Sequence, residues 1–106
     1  MNRIIAVCAA CAEDLKELVA AGRELANRIK APLVLLLIQS PKLSKAEPLE
    51  TAMQVARQYD AELHVHYSED AQRTICDFLD EWLPLSVITR KKPSLEARYV
   101  AQYSMT

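Results

Sequence analysis

Short apolar runs alternate with amphipathic stretches along this chain of 106 residues. Four runs are predicted to be strands, at residues 4–7, 33–38, 62–67 and 85–89. The first two are continuous, which is typical of strands covered on both faces of a parallel sheet. The third alternates, which indicates an edge strand with one wetter face. A helical pattern follows each strand, and this order predicts a three-layer α/β/α fold with a parallel sheet.

The helices are predicted from apolar residues spaced by three and four positions. Gly22 lies on the apolar stripe of the first helix, where it lets the helix approach the sheet closely. The second helix follows a capping box that begins at Ser44, and Met53 lies on its buried face. The third begins after Ser68 or Asp70. The fourth is predicted from Leu95, Tyr99 and Tyr103.

Composition excludes several classes of function. The chain has 13 basic and 14 acidic residues, so its overall charge predicts binding to neither nucleic acid nor a membrane surface. No apolar run reaches the ~18 residues of a membrane span, so we expect no membrane insertion and a cytoplasmic location. We expect one domain over residues 1–106, either alone or as part of a larger sensor protein.

The chain has one glycine and three cysteines. Because almost no position adopts positive φ cheaply, we expect Pro, Asp, Asn and Ser to make the turns. An odd number of cysteines without an export signal predicts thiols instead of a disulfide framework.

A C-x-x-C motif, Cys8-Ala9-Ala10-Cys11, stands at the first strand-to-helix junction. A thiolate there would be stabilised by the helix N-terminus, and by Arg90 or Lys91 if the first and fourth strands are neighbours. Three interpretations stay open: a redox site, an oxidation-sensitive or ligand-contacting thiol, and small residues that simply pack. Redox catalysis is the least favoured, because the β-α alternation leaves no room for the later antiparallel strands of a thioredoxin fold.

His64 and His66 project from one face of the third strand, as a metal pair requires. The chain has no other histidine, and its cysteines lie in other elements. A polar face of an edge strand is the favoured interpretation, and no metal site is predicted.

The run Arg90-Lys91-Lys92, followed by Pro93-Ser94, is the best candidate for anion binding. Three cations at the carboxyl end of a strand, leading into a helix N-terminus, neutralise phosphate without glycines. A solvated charge cluster is the alternative. Carboxylates elsewhere follow a solvated-face pattern, and no pair indicates acid–base catalysis, so we expect a non-catalytic protein.

Three segments carry a family resemblance: Arg3-Ile4-Ile5-Ala6-Val7-Cys8, the stretch at residues 25–33, and Thr89-Arg90-Lys91-Lys92. On these residues, and over residues 3–100, the chain resembles the universal stress protein family. Within that family it is most similar to the small domain of Kdp-type osmosensing sensor histidine kinases. The resemblance implies an adenine nucleotide alpha hydrolase-like sheet of order 3-2-1-4-5, binding where strands 1 and 4 meet, and dimers.

The sequence departs from the family pattern at two positions. Nucleotide-binding members carry an acidic residue after strand 1, where this chain has Cys8-Ala9, and a glycine-rich loop after strand 4, where it has residues 89–94. No fifth strand is predicted after the fourth helix, so the predicted strand order is 3-2-1-4. Strand 4 would then be an exposed apolar edge, to be covered by a second subunit or an intramolecular partner.

Two hypotheses of different class remain. In the first, the chain is a regulatory or sensory domain that needs no cofactor and binds ATP, AMP, a cyclic dinucleotide or another phosphorylated signal. In the second, it binds no small ligand and acts by dimerisation or by docking to a sensor kinase or transporter. The basic run favours the first, and the lack of a glycine-rich loop favours the second. The first assigns ligand contacts to Cys8, Ala9, Ala10, Gln39, Ser40, Thr89, Arg90, Lys91, Lys92 and Ser94.

Overall fold

A parallel sheet covered by helices forms the fold, as predicted. The computed structural model describes residues 2–9, 15–40, 46–89 and 103–105. These residues form β1 (Asn2–Ala9), α1 (Leu15–Ile29), β2 (Leu33–Gln39), α2 (Ala46–Gln58), β3 (Glu62–Tyr67), α3 (Ala71–Trp82), β4 (Pro84–Thr89) and β5 (Tyr103–Met105). The strand order is β3-β2-β1-β4-β5, and all four pairings are parallel.

Two apolar clusters lie on opposite faces of the sheet. Successive residues of a strand point to opposite faces, so β1 and β2 contribute to both clusters. Ile5 and Val7 pack with α1 and α2, whereas Ala6 and Cys8 pack with α3. Every residue of β2 is buried, which explains its continuous apolar run. No helix in the described ranges is long and apolar enough to cross a membrane.

The prediction that the fifth strand is absent was wrong. β5 pairs with β4, with Tyr103 opposite Val87, so β4 is an inner strand. Tyr103 therefore lies in a strand and not on the predicted fourth helix, whose other residues lie outside the described ranges. A three-residue strand is too short to show a period of two, whereas the spacing of the tyrosines by four matched a helix.

The buried face of α2 also differs from the prediction. Met53 is 46% exposed, and Val55 packs into the core instead. These residues lie on opposite flanks of the stripe formed by Ala52 and Ala56. Helical spacing alone does not decide which flank faces the sheet. The predicted cap residue, Ser44, lies outside the described residues.

Positive-φ residues follow all three described helices. Lys30 has a φ of 57°, Asp60 of 53° and Leu83 of 48°. Asp60 agrees with the prediction for turns, but Lys30 and Leu83 do not. A left-handed residue after a helix lets the last carbonyls accept hydrogen bonds from the following amides, and glycine usually takes that position.

The turns after α1 and α2 have the same hydrogen bond. The N–H of Ala31 donates to the carbonyl of Ala26 (2.9 Å), and the N–H of Ala61 donates to that of Ala56 (2.8 Å). Both bonds span five residues across the positive-φ position. Each turn thereby directs the chain from a helix into the next strand.

Gly22 brings α1 close to three strands, as predicted. A Cβ atom at this position would lie 2.6 Å from Val7 Cγ2, 3.0 Å from Leu33 Cδ1 and 3.6 Å from Ile88 Cδ1. Val7 is completely buried. Since a β-branched side chain has few rotamers, the Val7 methyl group has no low-energy way to move aside.

Lys30→Gly is expected to raise the free energy of unfolding by about 1 kcal/mol, because it relieves the left-handed conformation of a side-chain-bearing residue. Urea denaturation measures the change. Arg28→Gly is the matched control, since it removes the same charge at an exposed helical position, and should lower stability by about 1 kcal/mol. Equal destabilisation by both variants would contradict the role of Lys30.

Gly22→Ala is expected to destabilise the protein by about 1–2 kcal/mol, although alanine is the better helix former. Asn27→Ala, at an exposed position of the same helix, should instead stabilise it slightly. In a double-mutant cycle measured by urea denaturation, Val7→Ala should relieve part of the cost of Gly22→Ala, because it removes the clashing methyl group. Additive effects of the two changes would show that the contact is not the cause.

Candidate functional site at the carboxyl ends of the strands

The direction of the chain through the sheet reverses between β1 and β4. From β1 the chain proceeds outward through β2 to β3, and then crosses back to β4 on the other side of β1. The outward crossover helices α1 and α2 lie on one face, and α3 lies on the other. In open α/β sheets such a reversal leaves a crevice at the carboxyl ends of the two strands, where ligands bind.

Cys8 and Thr89 are neighbours at this reversal. They are register partners in the β1–β4 pairing, so their backbones lie about 4.8 Å apart. Ala9 follows Cys8 as the last residue of β1. The topology therefore brings together three residues that the sequence analysis assigned to one site from segments 80 positions apart.

The end of β2 lies beside this pair. Ala9 is opposite Leu37, so Gln39 extends two residues, about 7 Å, beyond Ala9. The carbonyl of Gln39 accepts a hydrogen bond from the N–H of Ser68 (2.8 Å), which fixes the end of β2 against the segment after β3. Ser40, half-buried, follows at once. Gln39 and Ser40 thus lie along the same edge of the sheet as Cys8 and Thr89.

The remaining predicted contacts lie outside the described residues. Their arrangement stays a prediction from the sequence. They are Ala10, Arg90, Lys91, Lys92 and Ser94, together with the second cysteine of the motif, Cys11.

The described site residues form the floor of the edge. Cys8, Ala9, Gln39 and Thr89 are each 8% exposed or less. A ligand at this edge can therefore reach little of these four side chains. The sequence analysis did not anticipate this burial, because a strand pattern does not show at which residue the strand ceases to be covered.

Cys8 does not have the chemistry predicted for the C-x-x-C motif. Burial raises the pKa of its thiol to about 12, because the surrounding apolar side chains disfavour the thiolate. Cys8 packs with Val34 and Ile75 on the α3 side of the sheet. The burial of Cys8 agrees with the packing interpretation of this residue, whereas Cys11, Arg90 and Lys91 lie outside the described residues. A neutral thiol is a weak nucleophile, so packing is the role that the geometry of Cys8 supports.

Cys76, on α3, is also a buried cysteine that forms no disulfide. Burial raises the pKa of its thiol, and the nearby carboxylates of Asp80 and Asp77 raise it further. Neither described thiol is therefore in a setting that activates it.

His64 belongs to an aromatic cluster on the α3 side of β3. Its ring meets that of Trp82 edge-on at a centroid distance of 4.9 Å, and Trp82 stacks on Phe78 at 5.3 Å. The His64 Nε2 atom lies 3.3 Å from a carboxylate oxygen of Glu62. The described ranges contain no group of three or more His, Cys, Asp and Glu residues suited to a metal ion. The sequence analysis missed the contact with Trp82, since it joins residues that only the fold brings together.

Cys8 is expected to react slowly with a thiol reagent in the folded protein. In a variant that retains only this cysteine, Cys11→Ser with Cys76→Ala, the thiolate fraction at pH 8 should be about a thousandfold lower than for an ordinary thiol. Labelling with a chromogenic disulfide in buffer and in urea measures the difference. Labelling in buffer as fast as in urea would contradict the burial of Cys8.

The fold is that of a universal stress protein. A solved structure described as "Structure of universal stress protein from Archaeoglobus fulgidus" is similar over 93% of this chain and 83% of that chain, with a TM-score of 0.60 and 18% sequence identity. No family model matches the chain. No curated protein matches it at a significant level. The strand order β3-β2-β1-β4-β5, which the resemblance implied, and the solved neighbour therefore agree on the fold.

Proposed function

We propose that this chain is a non-catalytic regulatory domain of the universal stress protein type that binds a nucleotide or another phosphorylated signal. The observation that carries the proposal is the reversal between β1 and β4, with Thr89 at the carboxyl end of β4 and Arg90-Lys91-Lys92 directly after it. This is the edge at which open α/β sheets bind ligands, and it is followed by the densest positive charge in the sequence. Charge and topology thus favour the same place.

In this proposal the basic run replaces a glycine-rich loop. Arg90 would hold phosphate oxygens through its guanidinium group, and Lys91 and Lys92 would add positive charge. Ser94, just after a proline, would donate its hydroxyl hydrogen. Such contacts come from side chains, so they do not require the positive-φ backbone that glycine provides.

The remaining contacts in the proposal come from the first two strands. The backbone and small side chains at residues 8–10 would lie against the base or sugar, and Gln39 with Ser40 would form one wall. The described residues Cys8 and Gln39 support this only as a floor, since both are buried. The ligand would therefore be held chiefly by the segments after the strands.

The burial of Cys8 weighs against a redox role for this residue. A buried, neutral thiol is a weak nucleophile. We infer that the domain acts by binding its ligand. A sensor kinase or a transporter, joined to the domain or docked with it, would respond to the bound state.

The burial of Cys8, Ala9, Gln39 and Thr89 favours a second candidate function. If the segments after the strands close over this floor permanently, the domain binds no small ligand. It would then act as a docking module.

Thermal unfolding in reducing buffer with ATP, AMP and cyclic dinucleotides separates the two functions. A ligand at 100 times its Kd adds about 2.7 kcal/mol, which for a domain of this size raises Tm by roughly 10 °C or more. The double variant Arg90→Ala with Lys91→Ala should lose this shift and keep the unfolding temperature of the unliganded protein.

The matched control is Arg28→Ala with Arg57→Ala. These arginines lie in the last turns of α1 and α2, at the opposite edge of the sheet. The control removes the same charge and should keep the shift, so an equal loss in both double variants would place the site elsewhere. No shift with any nucleotide would contradict the proposed function and favour the docking module.

A further inference from the structure

The outer edge of β3 has backbone groups that point away from the sheet. β3 is the last strand in the sheet order, and no strand within the described residues pairs with its outer side. The N–H of Ser68 points inward to Gln39 on β2. Because backbone groups alternate in direction along a strand, the N–H and C=O groups of Leu63, Val65 and Tyr67 point outward. They can pair with an extended chain that lies along this edge.

This edge also lacks the features that usually prevent pairing. Natural edge strands are commonly short, bent by bulges or interrupted by proline and lysine. β3 instead keeps a continuous register with β2 from Glu62 to Tyr67, and its sequence contains neither proline nor lysine. It is therefore suited to strand addition, in which an extended peptide lengthens a sheet by one strand.

Two exposed apolar side chains lie along one side of the edge. Met53 and Tyr67 are the large apolar residues of the described ranges that are exposed, at 46% and 58%. α2 crosses between β2 and β3, outside α1, so its buried flank at Val55 faces α1. Met53 is on the opposite flank and therefore lies beside the β3 edge. Tyr67 shares the α2 face of the sheet with Leu63. A chain added to β3 would cover both exposed side chains.

The surroundings of this edge are acidic. Residues 50–70 contain five acidic residues and one arginine, and all six are exposed. The acidic residues are Glu50, Asp60, Glu62, Glu69 and Asp70. Asp60 precedes β3 and Glu69 follows it, so a carboxylate lies near each end of the edge. A cationic segment is complementary to this charge, whereas a second copy of β3 would bring two acidic surfaces together.

We propose that β3 is a docking edge for an extended segment of another protein, with apolar residues at alternate positions and lysine or arginine at both ends. The segment adds a strand to the sheet. Its apolar side chains lie against Met53 and Tyr67, and its cationic ends lie near Asp60 and Glu69. This inference rests on α2 and β3 and is independent of the proposed ligand site.

A fluorescein-labelled peptide tests the proposal by fluorescence anisotropy in reducing buffer of low ionic strength. Its sequence is Lys-Lys-Val-Thr-Val-Thr-Val-Lys-Lys. We expect this peptide to bind, and a version with glutamate in place of every lysine to bind about tenfold more weakly or less. No binding of the lysine peptide at about 0.5 mM protein would overturn the proposal. Equal binding of the two peptides would also overturn it.

Methylation of the peptide's backbone nitrogens tests strand pairing. Alternate amides of a strand point to the same side, so only one set can face β3. We therefore expect that methylating either the valine amides or the threonine amides abolishes binding, and that methylating the other set does not. Equal affinities of the two methylated peptides would show that the peptide does not add a strand.

Met53→Ala should raise the peptide Kd about threefold, because it removes apolar surface that the added strand covers. Gln54→Ala is the matched control, since Gln54 is the adjacent exposed residue of α2, has a side chain of similar length and lies opposite the buried stripe of Ala52 and Ala56. It should leave the Kd unchanged. Both positions are exposed, so both variants should fold, which circular dichroism checks.

An equal effect of the two substitutions would place peptide binding elsewhere and contradict the proposal. Sedimentation equilibrium of the chain alone tests the other occupant of the edge. Dimers that the peptide dissociates would assign the edge to a second copy and would overturn the proposal.

Discussion

The contact of α1 with the sheet depends on the absence of a side chain at Gly22. A Cβ atom there would meet side chains from β1, β2 and β4, so one helical position lies over three adjacent strands. Two of these strands, β1 and β4, flank the reversal of the chain. The close approach of α1 therefore fixes the sheet beneath the candidate site, and the only glycine of the chain lies where packing requires it.

The two ends of the sheet differ in how they are built. The positive-φ residues of the described ranges follow helices and lie where strands begin, at the amino-terminal edge. Two arginines also stabilise that edge: Arg3 donates to the carbonyl of Ile29 (2.7 Å), and Arg23 donates to that of Tyr59 (3.1 Å). Both arginines therefore donate hydrogen bonds to backbone carbonyl groups at or just after helix ends. The basic run at residues 90–92 follows a strand that ends at the opposite edge, where none of the three described helices ends.

The sequence predicted the features that depend on burial over many residues. β1 to β4 follow from apolar runs, the edge position of β3 from its alternation, and the close approach at Gly22 from its place on an apolar stripe.

The sequence missed features that are too short or that depend on distant contacts. β5 was missed because a strand of three residues is too short to show a period of two. Lys30 and Leu83 were missed as turn residues because a helix can impose a left-handed residue at its end whatever the side chain. The neutral state of Cys8 depends on α3, some 67 positions away, so the local motif could not show it. In the candidate site, the adjacency of Cys8 and Thr89 followed from topology alone, whereas their burial did not.

The end of β3 is joined to the candidate site by a short connection. Within the sheet, β2 separates β3 from β1, which places the reversal at β1 and β4 about 10 Å from β3. The N–H of Ser68, just after β3, donates to the carbonyl of Gln39 at the end of β2. In the proposed function, a ligand held against Gln39 would therefore also restrain the chain where it leaves β3.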